Sequence, residues 1–315
     1  MRRFLPLLVK LTVSVAIIAA LAWNIDLSGT LSRARDGNPG WIAAAAFFTL
    51  AQMIIATWRW QVVIAAIGGR LGFGQAWRLV YIGQFFNLIL PSTVGGDAIR
   101  GWMIWKSGMT AMNAASSVLL DRLVAVLGLV LTIAVTQWLL PSMEQADMVA
   151  LVVAGIVTGT IGGTTILMLL DRLPAQIQEM RLFSALARLS RNVRAVLLSW
   201  PYNVGSVGMG VLGQINLSMA LYALAQAFNI PLTVIDCLVL WPLVVLVTLL
   251  PVSISGWGVR EGAMVVALGL AGVSSESSML LSVSIGLLAT VMALPGGLLW
   301  LSVRQPQPAS QTTIP

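Results

Sequence analysis

The chain has 315 residues, 58% of them hydrophobic and 9% charged, with a mean hydropathy of +0.92 and a formal net charge of +7. A soluble domain would carry about 25% charged residues, so a water-soluble globular protein is excluded. One cysteine (Cys237) and no histidine exclude a disulfide framework and the usual zinc, haem and iron–sulfur ligand sets. No cofactor is expected, and basic charge in such a chain marks cytoplasmic loops rather than nucleic-acid binding.

Apolar runs long enough to span a bilayer lie at 5–23, 41–66, 113–140, 148–170, 203–228 and 275–301. The first has a basic start and a cleavage-like pattern at Ala20–Ala22. Lys10 interrupts its apolar stretch, so a retained helix is expected. Basic residues collect on the cytoplasmic side, which puts Arg2, Arg3 and Lys10 inside and the acidic loop "PSMEQAD" (141–147) outside. Arg172, Arg181, Arg188, Arg191 and Arg194 return the chain inside, and Arg304 leaves the C-terminus there. Arg59, Arg70 and Arg78 count as cytoplasmic.

This pattern holds only if 76–106 crosses an even number of times. The segment is therefore read as a re-entrant hairpin: a short helix to Leu90, a break, and a second short helix from about Asp97. With Arg100, Arg122 and Arg260 assigned to membrane depth, only Arg33 and Arg35 fall outside.

An internal repeat carries the same reading. "LPSTVGGDAIR" (90–100) and "LPVSISGWGVR" (250–260) align without gaps, sharing Leu90/Leu250, Pro91/Pro251, Gly96/Gly256 and Arg100/Arg260. Each repeat reads as helix, broken hairpin, helix, over about 41–140 and 201–301. Three crossings separate the two starts, so the repeats should be inverted, as in membrane transport proteins. The expected fold is an all-α polytopic membrane domain, residues 1–304, with six full spans and two re-entrant hairpins. A disordered tail is expected at 305–315. Residues 175–199 form a basic amphipathic helix, with Leu182, Leu186, Leu189, Val193 and Val196 on one face, expected at the cytoplasmic interface.

The breaks carry chemistry. Pro91 and Pro251 end their helices. Gly95, Gly96, Gly256 and Gly258 allow positive φ or close approach. The second short helices start with unpaired N–H groups and a positive dipole end, which attract phosphate. Arg100 and Arg260 follow within a turn and add fork-shaped donors. A charge at membrane depth costs about 2.5–3.5 kcal/mol on insertion scales, so two at equivalent places argue for a task.

Plainer roles stand beside these. Asp97 suits an N-cap, and Arg100 with Asp97, or Arg260 with Glu261, suits internal pairing. Asp121 and Arg122 read equally as a gate or as an ion pair. Gln84, Asn87 and Asn216 suit helix packing, as does the G-x-x-x-G of Gly155 and Gly159. Trp23, Trp41, Trp138 and Trp300 suit interfacial belts.

The stretches "NLILPSTVGGDAIRGW", "SSVLLDRLVAVLG" and "PVSISGWGVREGAMVVALGLAGV" resemble the lysylphosphatidylglycerol synthase transmembrane-region family, or flippase-like domain, which includes UPF0104-type membrane proteins. The resemblance covers roughly residues 5–301. It implies a bacterial or archaeal cytoplasmic-membrane protein related to lipid flipping. By motif match it carries over Gly95, Gly96, Asp97, Arg100, Asp121, Arg122, Gly256, Gly258, Arg260 and Glu261 as the substrate-binding set. The soluble aminoacyl-transferase domain of full-length synthases is not part of this sequence, so lipid aminoacylation is not implied and no enzymatic activity is expected. Ser255 and Trp257 depart from the family's usual second motif.

The expected function is translocation of a phosphate-bearing lipid, anionic or polyprenyl-phosphate in type. The alternatives are secondary transport of a small hydrophilic anion and a membrane transferase using a lipid donor. No P-loop is present, so energy would come from a gradient or from the lipid's own imbalance. The partners expected are membrane lipids, without nucleic acid; a homo-oligomer is compatible.

Overall fold

The computed structural model describes residues 36–89, 95–139, 146–172, 181–249 and 258–302, and all its regular structure is helical. The predicted first span (5–23), the two breaks around Pro91 and Pro251, Gly256, the loop at 141–145 and the tail 305–315 lie outside these residues.

Five helices are long and apolar enough to cross a membrane: Pro39–Ala66, Ala111–Leu139, Val153–Arg172, Tyr202–Ala227 and Ser275–Leu301. They coincide with the five predicted spans that fall among the described residues. In chain order the elements are α1 (Pro39–Ala66), α2 (Phe73–Ile89), α3 (Gly95–Lys106), α4 (Ala111–Thr136) and α5 (Ala146–Leu169). They continue with α6 (Arg181–Leu198), α7 (Tyr202–Ala227), α8 (Val234–Thr248), α9 (Val259–Gly269), α10 (Ser275–Ala293) and α11 (Pro295–Leu301). The predicted last span is thus two helices, interrupted at Leu294 where Pro295 starts α11.

Local chemistry sets the helix starts. Asn38 accepts the Gly40 N–H ahead of Pro39, which occupies the first turn. Thr110 and Ser274 cap α4 and α10 in the same way, and Thr233 forms a reciprocal capping box with Asp236 on α8.

α1 and α7 make the most extensive helix pair. Around them, α2 packs on α3 and α8 on α9; α3 packs on α4 and α9 on α10; α4 touches α8 and α2 touches α10. The two largest apolar cores among the described residues lie here. One joins Leu221, Leu224, Val239, Leu240, Met264 and Leu281; the other joins Trp60, Ile64, Leu79, Val80, Ile104 and Val118. α4 and α7 cross backbone to backbone, since a Cβ on Gly128 would stand 2.4 Å from the Gly210 carbonyl carbon. Small residues permit such close approach without lipid-exposed polar backbone.

One packing expectation changes. Among the described residues the G-x-x-x-G of Gly155 and Gly159 faces open space, with no atom within 4 Å of a Cβ placed on either. The close contacts form at Gly128/Gly210 instead. The amphipathic helix α6 packs its apolar face on the bundle. Val193 and Val196 are buried against Val63, Leu120 and Val124, while Arg188 and Arg191 stay outward. Arg194 pairs with Asp171 beside Ser190 and ties α6 to the end of α5. Asn216 meets its expectation, donating to the Phe48 carbonyl at 2.8 Å and to Gln52 at 3.1 Å.

Candidate functional site

The residues singled out by sequence separate into two clusters. The first surrounds a cavity of about 190 Å³ lined by α1, α2, α3 and α4. Gly96 sets its wall: a Cβ there would stand 1.8 Å from the Gly83 carbonyl oxygen, so α2 and α3 meet through bare backbone. Asn87 accepts the Gly96 N–H at 2.8 Å. One of the orphan donors at the start of α3 is therefore already satisfied by the chain itself.

Asp97 does not cap α3. The helix begins at Gly95, which places Asp97 inside its first turn. Its carboxylate accepts Nε of Arg122 and lies 3.2 Å from Nη2 of Arg100. Asp121 lies about three turns into α4 and divides its two oxygens between Arg59 Nε at 2.8 Å and Arg100 Nη2 at 3.0 Å. Arg100 is 5% exposed and rests 4.3 Å above the Trp60 ring, a cation–π contact that holds its plane. Its Nε has no hydrogen-bond partner among the described residues. Arg122 is the outermost cation, with its side chain 40% exposed.

The cavity is thus lined by Arg59, Arg100 and Arg122 against Asp97 and Asp121, one positive charge in excess. An ion network buried to this degree is weak evidence for stability, because desolvation offsets the attraction. It does hold guanidinium forks in fixed positions around a space, the arrangement that suits phosphate oxygens.

The second cluster caps α9. Gly258 takes φ +86° at the N-cap, a conformation that favours glycine. Glu261 is 1% exposed and accepts three donors: the Gly258 N–H, Arg260 Nη2 at 2.7 Å and the Ser282 hydroxyl at 3.1 Å. Arg260 Nε donates to the same hydroxyl at 3.1 Å. Gly286 makes room for the guanidinium, since a Cβ there would fall 2.3 Å from Arg260 Nη2. The pairing of Arg260 with Glu261 is therefore real, while no residue of this cluster lines the cavity among the described residues.

Sequence reasoning missed Arg59 and Trp60. The charge pattern places Arg59 with the cytoplasmic basic residues, although "TWRW" (57–60) lies inside an apolar run. A lone cation within a span, beside two tryptophans, was the available signal. Ser282 and Gly286 carried none, because each acquires its role only from the seat of Arg260.

A family model described as the lysylphosphatidylglycerol synthase TM region matches residues 7–297. A UPF0104 membrane protein of Methanocaldococcus jannaschii is 28% identical over 99 residues, covering 31% of this chain and 30% of that protein. The chain thus aligns with less than a third of that relative's length. The family description is an enzyme's, which corrects the expectation of a chain without enzymatic connection. With apolar helices of spanning length and a match over nearly its whole extent, this multi-pass membrane chain belongs to the lysylphosphatidylglycerol synthase transmembrane-region family.

Proposed function

We propose that this protein moves an amphipathic lipid with a phosphate-bearing headgroup across the cytoplasmic membrane, the headgroup passing through the cavity between α1, α2, α3 and α4. The observation that carries this reading is Arg100: buried, seated on Trp60, with Nε unpartnered among the described residues, and lining a cavity of net positive charge. An entering phosphate would meet the cavity's excess positive charge. It would also compete with Asp97 for Arg122, exchanging one anion for another at little cost in desolvation.

Six spans and two re-entrant hairpins in an inverted repeat, with both termini cytoplasmic, complete the proposal. Support for the repeat comes from the pairing of helices. Contacts α1–α2, α2–α3, α3–α4 and α4–α8 have counterparts in α7–α8, α8–α9, α9–α10 and α10–α2. Alternating access would then rock one repeat against the other.

The test is reconstitution in liposomes with fluorescent phosphatidylglycerol or a polyprenyl phosphate, following loss of signal to an external quencher. Wild type should translocate, and Arg100→Ala should not. Equal rates for both would remove the cavity from the pathway.

The enzymatic description of the family supports a second reading, a transferase using a lipid donor with Asp97 beside the reacting group. Mass spectrometry of the same liposomes separates the two, because translocation leaves lipid masses unchanged. Uptake of a small hydrophilic anion is measured in parallel.

A further inference from the structure

Beside the charged cavity, a groove of about 390 Å³ runs between α3 and α4. Its walls are apolar, and its one charged lining residue, Asp97, also lines the cavity. The groove exists because small residues recur at helical spacing on both facing helices. Ala98 and Gly101 floor it on α3, and Ala111, Ala114 and Ala115 on α4. Positions three and four apart share a helix face, so both floors point into the same space. Trp102 and Trp105, 44% and 46% exposed, rim it along α3. From Asp97 to Trp105 the groove follows about 12 Å of helix.

We infer that this groove holds the hydrocarbon tail of the same lipid whose phosphate enters the cavity, with the junction of head and tail at Asp97. The inference rests on the phosphate reading above. Its warrant is adjacency: a polar cavity with excess positive charge and a slot otherwise lined by apolar side chains share Asp97 as a wall. An occupant that satisfies both must be anionic at one end and apolar along the rest. A free hydrophilic anion would leave the slot unfilled, and a neutral hydrocarbon would leave the cavity's excess positive charge unmatched.

Photolabelling of the full-length protein tests this, using dodecyl phosphate with a diazirine in its chain and the matching dodecyl alcohol. Label sites are mapped by mass spectrometry, and inorganic phosphate is assayed separately for thermal stabilisation. The phosphate probe should label α3 and α4 around Gly101 and Ala115 at least tenfold more than the alcohol does. Ala98→Leu and Ala115→Leu fill the groove without touching the cavity; both should lose that label yet keep stabilisation by inorganic phosphate. Labelling that lies elsewhere or survives both substitutions, with phosphate stabilisation intact, overturns the groove alone. Equal labelling by alcohol and phosphate, with no stabilisation by inorganic phosphate, overturns the phosphate reading and the shared junction with it. Concentration-dependent cross-links between two protein copies at Trp102 or Trp105 would assign the groove to an interface and overturn the inference.

Discussion

Arg100 of α3 and Asp121 of α4 meet at 3.0 Å, and Arg59 of α1 holds the other carboxylate oxygen at 2.8 Å. Three helices are thereby tied through one buried acid. Removing its charge leaves two buried cations facing each other. Asp121→Asn should destabilise the protein by about 3–5 kcal/mol, the usual cost of stripping one partner from a buried pair. Thermal unfolding in detergent measures this. Adding Arg59→Gln to that variant should recover part of the loss, because one stranded cation is gone. A melting temperature unchanged by Asp121→Asn would mean the network does not form.

Arg100→Lys keeps the charge and discards the fork. Lysine offers no planar group for the Trp60 ring and cannot reach Asp97, Asp121 and a phosphate oxygen together. Loss of one charge-assisted hydrogen bond is worth about 1.5–3 kcal/mol, so translocation should fall by roughly one to two orders of magnitude. The liposome assay with quencher reads it out. Near-wild-type rates in Arg100→Lys would show that charge alone is needed.

Two glycine substitutions should behave oppositely. In Gly96→Ala the new Cβ would meet the Gly83 carbonyl at 1.8 Å, and backbone cannot swing aside as a side chain can. A cost of about 1–3 kcal/mol follows from such overpacking, together with separation of α2 from α3. Gly155→Ala meets open space and should gain up to about 1 kcal/mol from helix propensity. Side-by-side melting curves decide, and a loss at Gly155 as large as at Gly96 would contradict the packing described.

At the second motif, Gly286→Ala should evict the Arg260 guanidinium, whose Nη2 lies 2.3 Å from the added Cβ. Glu261 would then lose a charged donor while remaining buried, a penalty of about 1–3 kcal/mol. Since both changes act on one interaction, Gly286→Ala should cost almost nothing in an Arg260→Gln background. A double-mutant cycle measured by thermal unfolding checks this. Fully additive effects would separate Gly286 from Arg260.

The spans were legible because a bilayer imposes length and apolarity on every crossing helix. The five runs from 41–66 to 275–301 met the five spanning helices within a few residues. The two motifs were legible because glycine, proline and charge are costly in such surroundings. Their spacing could not tell what each residue touches. Asp97 read as a cap, yet Arg122, twenty-five residues downstream on another helix, claims its carboxylate. Gly155 read as a packing residue by pattern, and the close crossing formed at Gly128 and Gly210 where no motif announced it.

What the sequence determined by itself is the membrane class, the family and the spanning helices among the described residues, since those depend on composition and local chain chemistry. Which charges meet was decided only in three dimensions. Arg59 joins Arg100 because α1 packs against α4, and Arg260 stays with Glu261 because Gly286 leaves room for it. Long-range pairing of ions depends on distance between side chains, and sequence separation carries no distance.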